Sequence, residues 1–200
     1  MTTDPATLDL GPQARVLARL AEGVSDARLA GPTPCPDLAV HNLLGHLTGL
    51  AVAFRDAARK ELGATTDTSP EAAVPDVGPG WRGELPKVLG ELAEAWRDPA
   101  AWTGMTRAGG IDLPGEVAGA VVADELVIHG WDLARATGQE YAPDPAALQV
   151  AYGLLAASAE EADRDAGMFG PVVPVPADAP LLDRAVGLSG RDPRWTPPAR

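Results

Sequence analysis

The chain has 200 residues, with 28 acidic against 16 basic side chains, a formal net charge of −12 and one cysteine. That length suits a single domain able to bury a core without covalent staples, and a lone Cys35 excludes an internal disulfide framework, which points to a reduced, cytoplasmic protein. The acidic excess argues against nucleic-acid binding, which needs Lys and Arg to neutralise phosphates.

The amino terminus, Met1 to Pro5, has no basic segment followed by an apolar one, so no export signal is expected. A helical period runs from Leu8 to Leu29 through Val16, Leu17, Leu20 and Val24. Pro32, Pro34 and Pro36 end it, because three prolines in five residues cannot continue a helix. Asp37 then reads as an N-cap before a second helix carrying Leu43, Leu44, Leu47, Leu50, Ala51 and Phe54 and reaching about Leu62. Residues 63–80 are rich in Thr, Ser, Pro, Asp and Gly and read as a long connection.

A third helix is expected from Trp81 to Arg97, with Pro86 in its first turns, followed by a Gly-rich link through Gly109 and Gly110. Asp112 and Pro114 open a fourth helix that runs through Val122, Glu125, His129 and Leu133 until Gly138 stops it. Its longest apolar run, Val117 to Ala123, is too short to span a bilayer, so no membrane partner is expected. Asp144 and Pro145 open a fifth helix ending at Gly167. From Phe169 onward, Pro171, Pro174, Pro176 and Pro180 favour an extended, non-helical tail. Few segments alternate with period two, so the expected class is all-α, a four-helix bundle with an additional helix and a proline-rich carboxy-terminal tail folded back on it. The implied division is a helical domain over 1–168 and a tail over 169–200.

Chemistry-bearing residues are few. The only histidines are His41, His46 and His129. On an α-helix His41 and His46 are rotated by roughly 140° from one another, so they cannot face one ligand. His46 shares the apolar stripe of Ala39, Leu43, Leu50 and Ala53 and points inward, whereas His41 reads as a surface side chain. Glu125 and His129 are four apart on the stripe of Val122 and Leu133. A carboxylate and an imidazole buried together need compensation, and a divalent metal between the second and fourth helices would supply it. His46, Glu125 and His129 make a two-nitrogen, one-oxygen set like that of catalytic zinc and of the facial iron triad. An isolated E-x-x-x-H is more often a hydrogen bond on a helix surface. Gly45 and Gly130 flank the histidines and would allow either close helix packing or room for a ligand.

Three segments carry a resemblance. T-P-C-P-D-L-A-V-H-N-L-L-G-H-L at 33–47, E-L-V-I-H-G-W-D-L-A-R-A-T-G at 125–138 and the tail from Val173 to Trp195 together resemble a family of single-domain metal-binding proteins. That family is related to the amino-terminal domain of mycothiol-dependent maleylpyruvate isomerase, within the DinB-like (YfiT-like) helical-bundle superfamily. The resemblance implies a bundle holding one divalent metal, zinc with nickel or iron as alternatives, through His46, Glu125 and His129. It also implies that the metal activates a low-molecular-weight thiol, mycothiol, for transfer to or isomerisation of a small electrophilic metabolite. Where the isomerase has a second folded domain that contributes to substrate binding, this chain has a proline-rich tail, which removes the basis for expecting maleylpyruvate itself as substrate.

Asp132, three residues after His129, reads either as a partner for that ring's second nitrogen or for substrate, or as a salt-bridge partner of Arg135. Arg135 and Arg191 suit a carboxylate or the thiol cofactor, with a solvated surface role as the alternative. Cys35, lacking a basic neighbour in sequence, reads as a small apolar side chain, and Trp131 and Trp195 as core or cover. Two further functions use the same ligands: a non-enzymatic metal-dependent sensor or binding module, and a hydrolase acting through activated water. A monomer or homodimer is expected.

Overall fold

The computed structural model describes residues 8–36, 38–69, 74–159 and 170–198. Among them are seven helices and one antiparallel strand pair: α1 (Gly11–Glu22), α2 (Val40–Arg59), α3 (Ala64–Asp67), α4 (Trp81–Ala95), β1 (Met105–Ala108), β2 (Ile111–Pro114), α5 (Gly115–Thr137), α6 (Pro145–Ala157) and α7 (Leu181–Leu188). The expected helical-bundle class is borne out. Helices α1 and α2 occupy opposite corners, each packed against both α4 and α5. The apolar residues at three- and four-residue spacing are the reason. Leu17 and Leu20 of α1, Leu43, Leu47 and Leu50 of α2, Leu85, Leu89 and Leu92 of α4, and Val122, Leu126 and Leu133 of α5 fill one core.

Helix α5 is also buried on a second side. There Val127, Ile128 and Trp131 meet Ala147, Ala151 and Leu155 of α6 and Ala185 and Val186 of α7 in a separate apolar cluster. One helix thus lies between two apolar layers, and its polar side chains must find partners inside the protein.

Several boundaries differ from those the sequence suggests. Helix α1 stops at Gly23, and only a 3-10 turn at Asp26–Arg28 follows before the proline run. The N-cap of α2 is Ala39, whose N–H donates to the Asn42 Oδ1 at 3.1 Å; Asp37, the expected cap, lies outside the described residues. The 63–80 connection contains the single turn of α3. Helix α5 ends at a left-handed Gly138 as its sequence predicts, and the Asp144 carboxylate caps α6 by accepting from the N–H groups of Ala146 and Ala147. That helix ends at Ala157, well before Gly167, which is itself outside the described residues, as is the expected boundary at 168 and 169.

The Gly-rich link is a β-hairpin. Gly109 and Gly110 have φ of +61° and +80°, the conformation that a two-residue type I′ turn demands. Arg107 and Asp112 face each other across the strands, with Nε 2.7 Å from Oδ1, so Asp112 belongs to β2 and the N-cap of α5 is Pro114. Four-residue strands are too short for period two to register. The tail is likewise not extended throughout. Directly after Pro180, residues 181–188 form α7, and the Val173 N–H donates to the Gly187 carbonyl at 2.9 Å. A Cβ on Gly187 would lie 2.4 Å from Val175 Cγ2, so the preceding extended stretch lies directly on this helix. Among the described residues no helix is long and apolar enough to cross a membrane.

Gln13 joins three elements. Fully buried on α1, it donates from Nε2 to the Leu126 carbonyl at 2.9 Å and to the Tyr141 hydroxyl at 3.0 Å, and its Oε1 accepts the Asp144 N–H at 2.9 Å. Gln13→Leu leaves that N–H without its acceptor and is expected to cost about 1–3 kcal/mol. Urea denaturation measures it; an unchanged midpoint would refute the assignment.

Candidate metal centre

Where α2 and α5 pack together, His46 meets Glu125 and His129. The His46 Nε2 lies 3.4 Å from Glu125 Oε2, and the His129 Nε2 lies 3.1 Å from the same oxygen. The two imidazoles stand edge to face, with ring centroids 4.8 Å apart. The helical spacing of Glu125 and His129 puts them on one face of α5, and the packing of α5 against α2 brings His46 to that face. His129 is buried, while the side chains of His46 and Glu125 keep 20% and 29% exposure, so the cluster is reachable from one side.

The two glycines beside the histidines have packing partners. A Cβ on Gly45 would lie 2.6 Å from the backbone of Asp76, and one on Gly130 would lie 2.8 Å from the Tyr141 hydroxyl. Close packing, not room for a ligand, explains both. The segment over Gly45 is tied to α2 by the Asn42 Nδ2 donating to the Pro75 carbonyl at 2.8 Å and by His41 Nδ1 lying 2.7 Å from Asp76 Oδ1. His41 therefore stays apart from the cluster, as its angular position implies, but has a partner that the sequence does not reveal.

Asp132 is completely buried and accepts from His129 Nδ1 at 2.9 Å. Its other partner is Arg191, whose Nη2 and Nε lie 3.0 and 3.3 Å from the two carboxylate oxygens. The alternative pairing with Arg135 does not form: the Arg135 Nε donates to the Trp195 carbonyl at 3.0 Å and its guanidinium sits 5.8 Å from the Trp131 ring centroid. Arg135 thus fastens the tail to α5. Cys35 comes within electrostatic reach of Arg191, a basic neighbour that its flanking prolines give no hint of.

Opposing effects act on every charge here. Desolvation favours a neutral Glu125, yet its hydrogen bonds to His129 and His46 outweigh it and hold the carboxyl well below the usual range. Burial works against a charged His129, but Asp132 and Glu125 together push it up to about 9. Asp132, opposed by desolvation, is held down chiefly by Arg191. Asp124 is the exception, and sequence reasoning missed it. Enclosed on α5 with an Oδ1 that has no hydrogen-bond partner among the described residues, it is pushed up to about 8 by burial and by the neighbouring Glu125. Its only sequence signal is a carboxylate interrupting an apolar run.

This arrangement fits a divalent ion. Two imidazole nitrogens and one carboxylate oxygen lie within 4.8 Å of one another. A tetrahedral ion with bonds of ~2.0–2.2 Å separates its ligand atoms by about 3.3–3.6 Å, so small side-chain movements suffice. With Nδ1 of His129 committed to Asp132, its Nε2 is the nitrogen left to bind.

Comparison with known proteins adds three findings. The family described as the mycothiol maleylpyruvate isomerase N-terminal domain matches residues 10–134. An uncharacterized protein of Mycobacterium tuberculosis, found in strains CDC 1551 / Oshkosh and ATCC 25618 / H37Rv, is 26% identical over 180 residues, covering 88% of this chain and 92% of the relative. A crystal structure of mycothiol-dependent maleylpyruvate isomerase is similar at 18% identity and a TM-score of 0.49, covering 78% of this chain and 69% of the isomerase.

Asp124 gives a pH prediction for the metal-free protein. Its carboxyl is raised from 3.8 to about 8, so the folded state keeps a proton that the unfolded state releases, and stability falls as pH rises through that window. His129, raised from 6.5 to about 9, adds a fall of the same sign only at higher pH. Between about pH 5 and 6.5, above ordinary carboxylate titration and below that of histidine, Asp124→Asn is expected to flatten the slope. Denaturation midpoints measured with a chelator present test it; equal slopes in wild type and variant would contradict the assignment.

Proposed function

Because this chain belongs to the family of the mycothiol maleylpyruvate isomerase N-terminal domain, we propose that it binds one divalent metal, zinc first among the candidates, and uses it with a mycothiol-type thiol to act on a small electrophilic metabolite as a transferase or isomerase. The observation that carries this reading is the convergence of His46 Nε2, Glu125 Oε2 and His129 Nε2 in front of a buried carboxylate.

In this reading His46, Glu125 and His129 are the metal ligands. A divalent ion supplies acidity: it lowers the pKa of a thiol or water bound to it so that the anion is present at neutral pH. The chain contributes placement. Glu125, already ionised, takes a ligand role and not that of a free general base. Asp132 keeps the proton of His129 on Nδ1 and aims the opposite nitrogen at the cluster. The partly exposed flank formed by His46 and Glu125 is where a thiol and its electrophile would approach, while the enclosed His129 side excludes water. Three protein ligands leave coordination free for a small molecule, which suits catalysis better than a purely structural ion. The sole cysteine lies outside the cluster, so the reacting sulfur would come from a cofactor.

Metal analysis of purified protein is expected to give one divalent ion per chain. His129→Ala and Glu125→Gln should each weaken binding by more than the ~10–100-fold usual for losing an outer partner of a ligand. Full occupancy in either variant would defeat the metal assignment. Calorimetric titration of the metal-loaded protein with mycothiol is expected to give saturable binding. Metal uptake with no response to the thiol would favour the metal-binding module or the hydrolase over the thiol enzyme.

A further inference from the structure

We infer that Arg191 is a positioning residue of this centre: reaching in from the segment after α7, it locks the carboxylate that orients His129, which makes the carboxy-terminal segment a working part of the site. The inference rests on the metal reading above, and it concerns a residue outside the 10–134 stretch that carries the family match.

The placement of Arg191 follows from the chain around it. Helix α7 is pinned to α5 and α6 through Ala185 and Val186. It ends in a tight reversal, with Gly190 at φ +86° and the Arg191 N–H donating to the Val186 carbonyl at 3.1 Å. A Cβ on Gly190 would lie 3.0 Å from the backbone of Gly170, so the turn is closed against the start of the same segment. Arg191 is thereby directed toward α5. Its Nη1 donates to the Ser189 carbonyl at 3.0 Å while Nη2 and Nε reach Asp132, which fixes the guanidinium plane from two sides.

Asp132 Oδ2 accepts from both Arg191 and His129, whereas Oδ1 is engaged by Arg191. The guanidinium therefore settles the rotation of the carboxylate, and the carboxylate settles the rotation of the imidazole. Side-chain exposure is 15% for Arg191 and zero for Asp132, so solvent screening does not dilute the pair as it would on the surface. Without Arg191 the carboxylate would keep a buried charge with one partner fewer, and the His129 ring would lose the fixed angle that presents its Nε2 beside Glu125.

The test uses the full chain with Arg191→Gln, Arg191→Lys, Asp132→Asn and the double variant of Arg191→Gln with Asp132→Asn. Zinc affinity is read by competition with a chromophoric chelator. The His129 Nδ1–H signal is read by NMR in metal-free protein labelled with 15N at histidine. Arg191→Gln is expected to weaken zinc about 10–100-fold with its helical circular dichroism unchanged, and to lose the Nδ1–H signal to solvent exchange. Arg191→Lys should recover part of both, because a cation stays beside Asp132. Adding Arg191→Gln to Asp132→Asn should cause little further loss, since the two act in series. Wild-type affinity and a retained signal in Arg191→Gln, or full additivity in the double variant, would overturn the inference. Should Arg191→Gln fail to fold, the lysine variant decides: an affinity and a signal that both fall below wild type, partly or to the level of Asp132→Asn, with helical circular dichroism unchanged support the positioning role, and both equal to wild type reject it. If the wild-type protein binds no zinc, the metal reading fails, and the Nδ1–H comparison still decides whether Arg191 holds His129.

Discussion

The carboxylate of Asp132 has no exposure at all, and the structure around the centre is organised by the need to compensate that one charge. Leaving it unpaired would cost several kcal/mol, about 3–5 by the measure of broken buried pairs. Two donors meet it: the His129 ring, one turn away on the same helix, and the Arg191 guanidinium, delivered from near the end of the chain. Enclosing the group requires apolar cover on both sides of α5, which is what the bundle core and the α6–α7 layer provide.

The same enclosure sets the character of α5. Its polar residues divide into those that are answered and one that is not. Glu125, His129 and Asp132 satisfy one another and are reached by His46 and Arg191, whereas the Asp124 Oδ1 has no hydrogen-bond partner among the described residues and burial pushes its carboxyl up to about 8. Even the backbone of this helix is engaged from outside, with Gln13 and Tyr141 donating to the carbonyls of Leu126 and Val127. The proposed ligands on a helix held this way would be presented with little freedom to rearrange, which is the condition for binding an ion in a defined geometry.

Reading order along the chain explains which features were legible. Helical periods spanning several turns identified the bundle helices, and Gly138 and Asp144 marked a stop and a start through local backbone chemistry. Elements a few residues long escaped: the hairpin turning at Gly109 and Gly110, the single turn of α3, and α7 hidden behind prolines. The glycines at 45 and 130 were visible but their reason was not, since the atoms that exclude a Cβ belong to Asp76 and Tyr141 on other segments.

The sequence by itself determined the helical class, the inward angle of His46 and the sharing of one face by Glu125 and His129, because a 3.6-residue period is a property of neighbouring residues. Only the tertiary structure decided that Asp132 pairs with Arg191 and not with Arg135, that Arg135 instead binds the Trp195 carbonyl, and that Cys35 lies near a guanidinium. Those outcomes depend on where α7 docks and how the chain reverses at Gly190. Such long-range closure is set by the packing of apolar surfaces, which leaves no mark in the spacing of the charged residues it brings together.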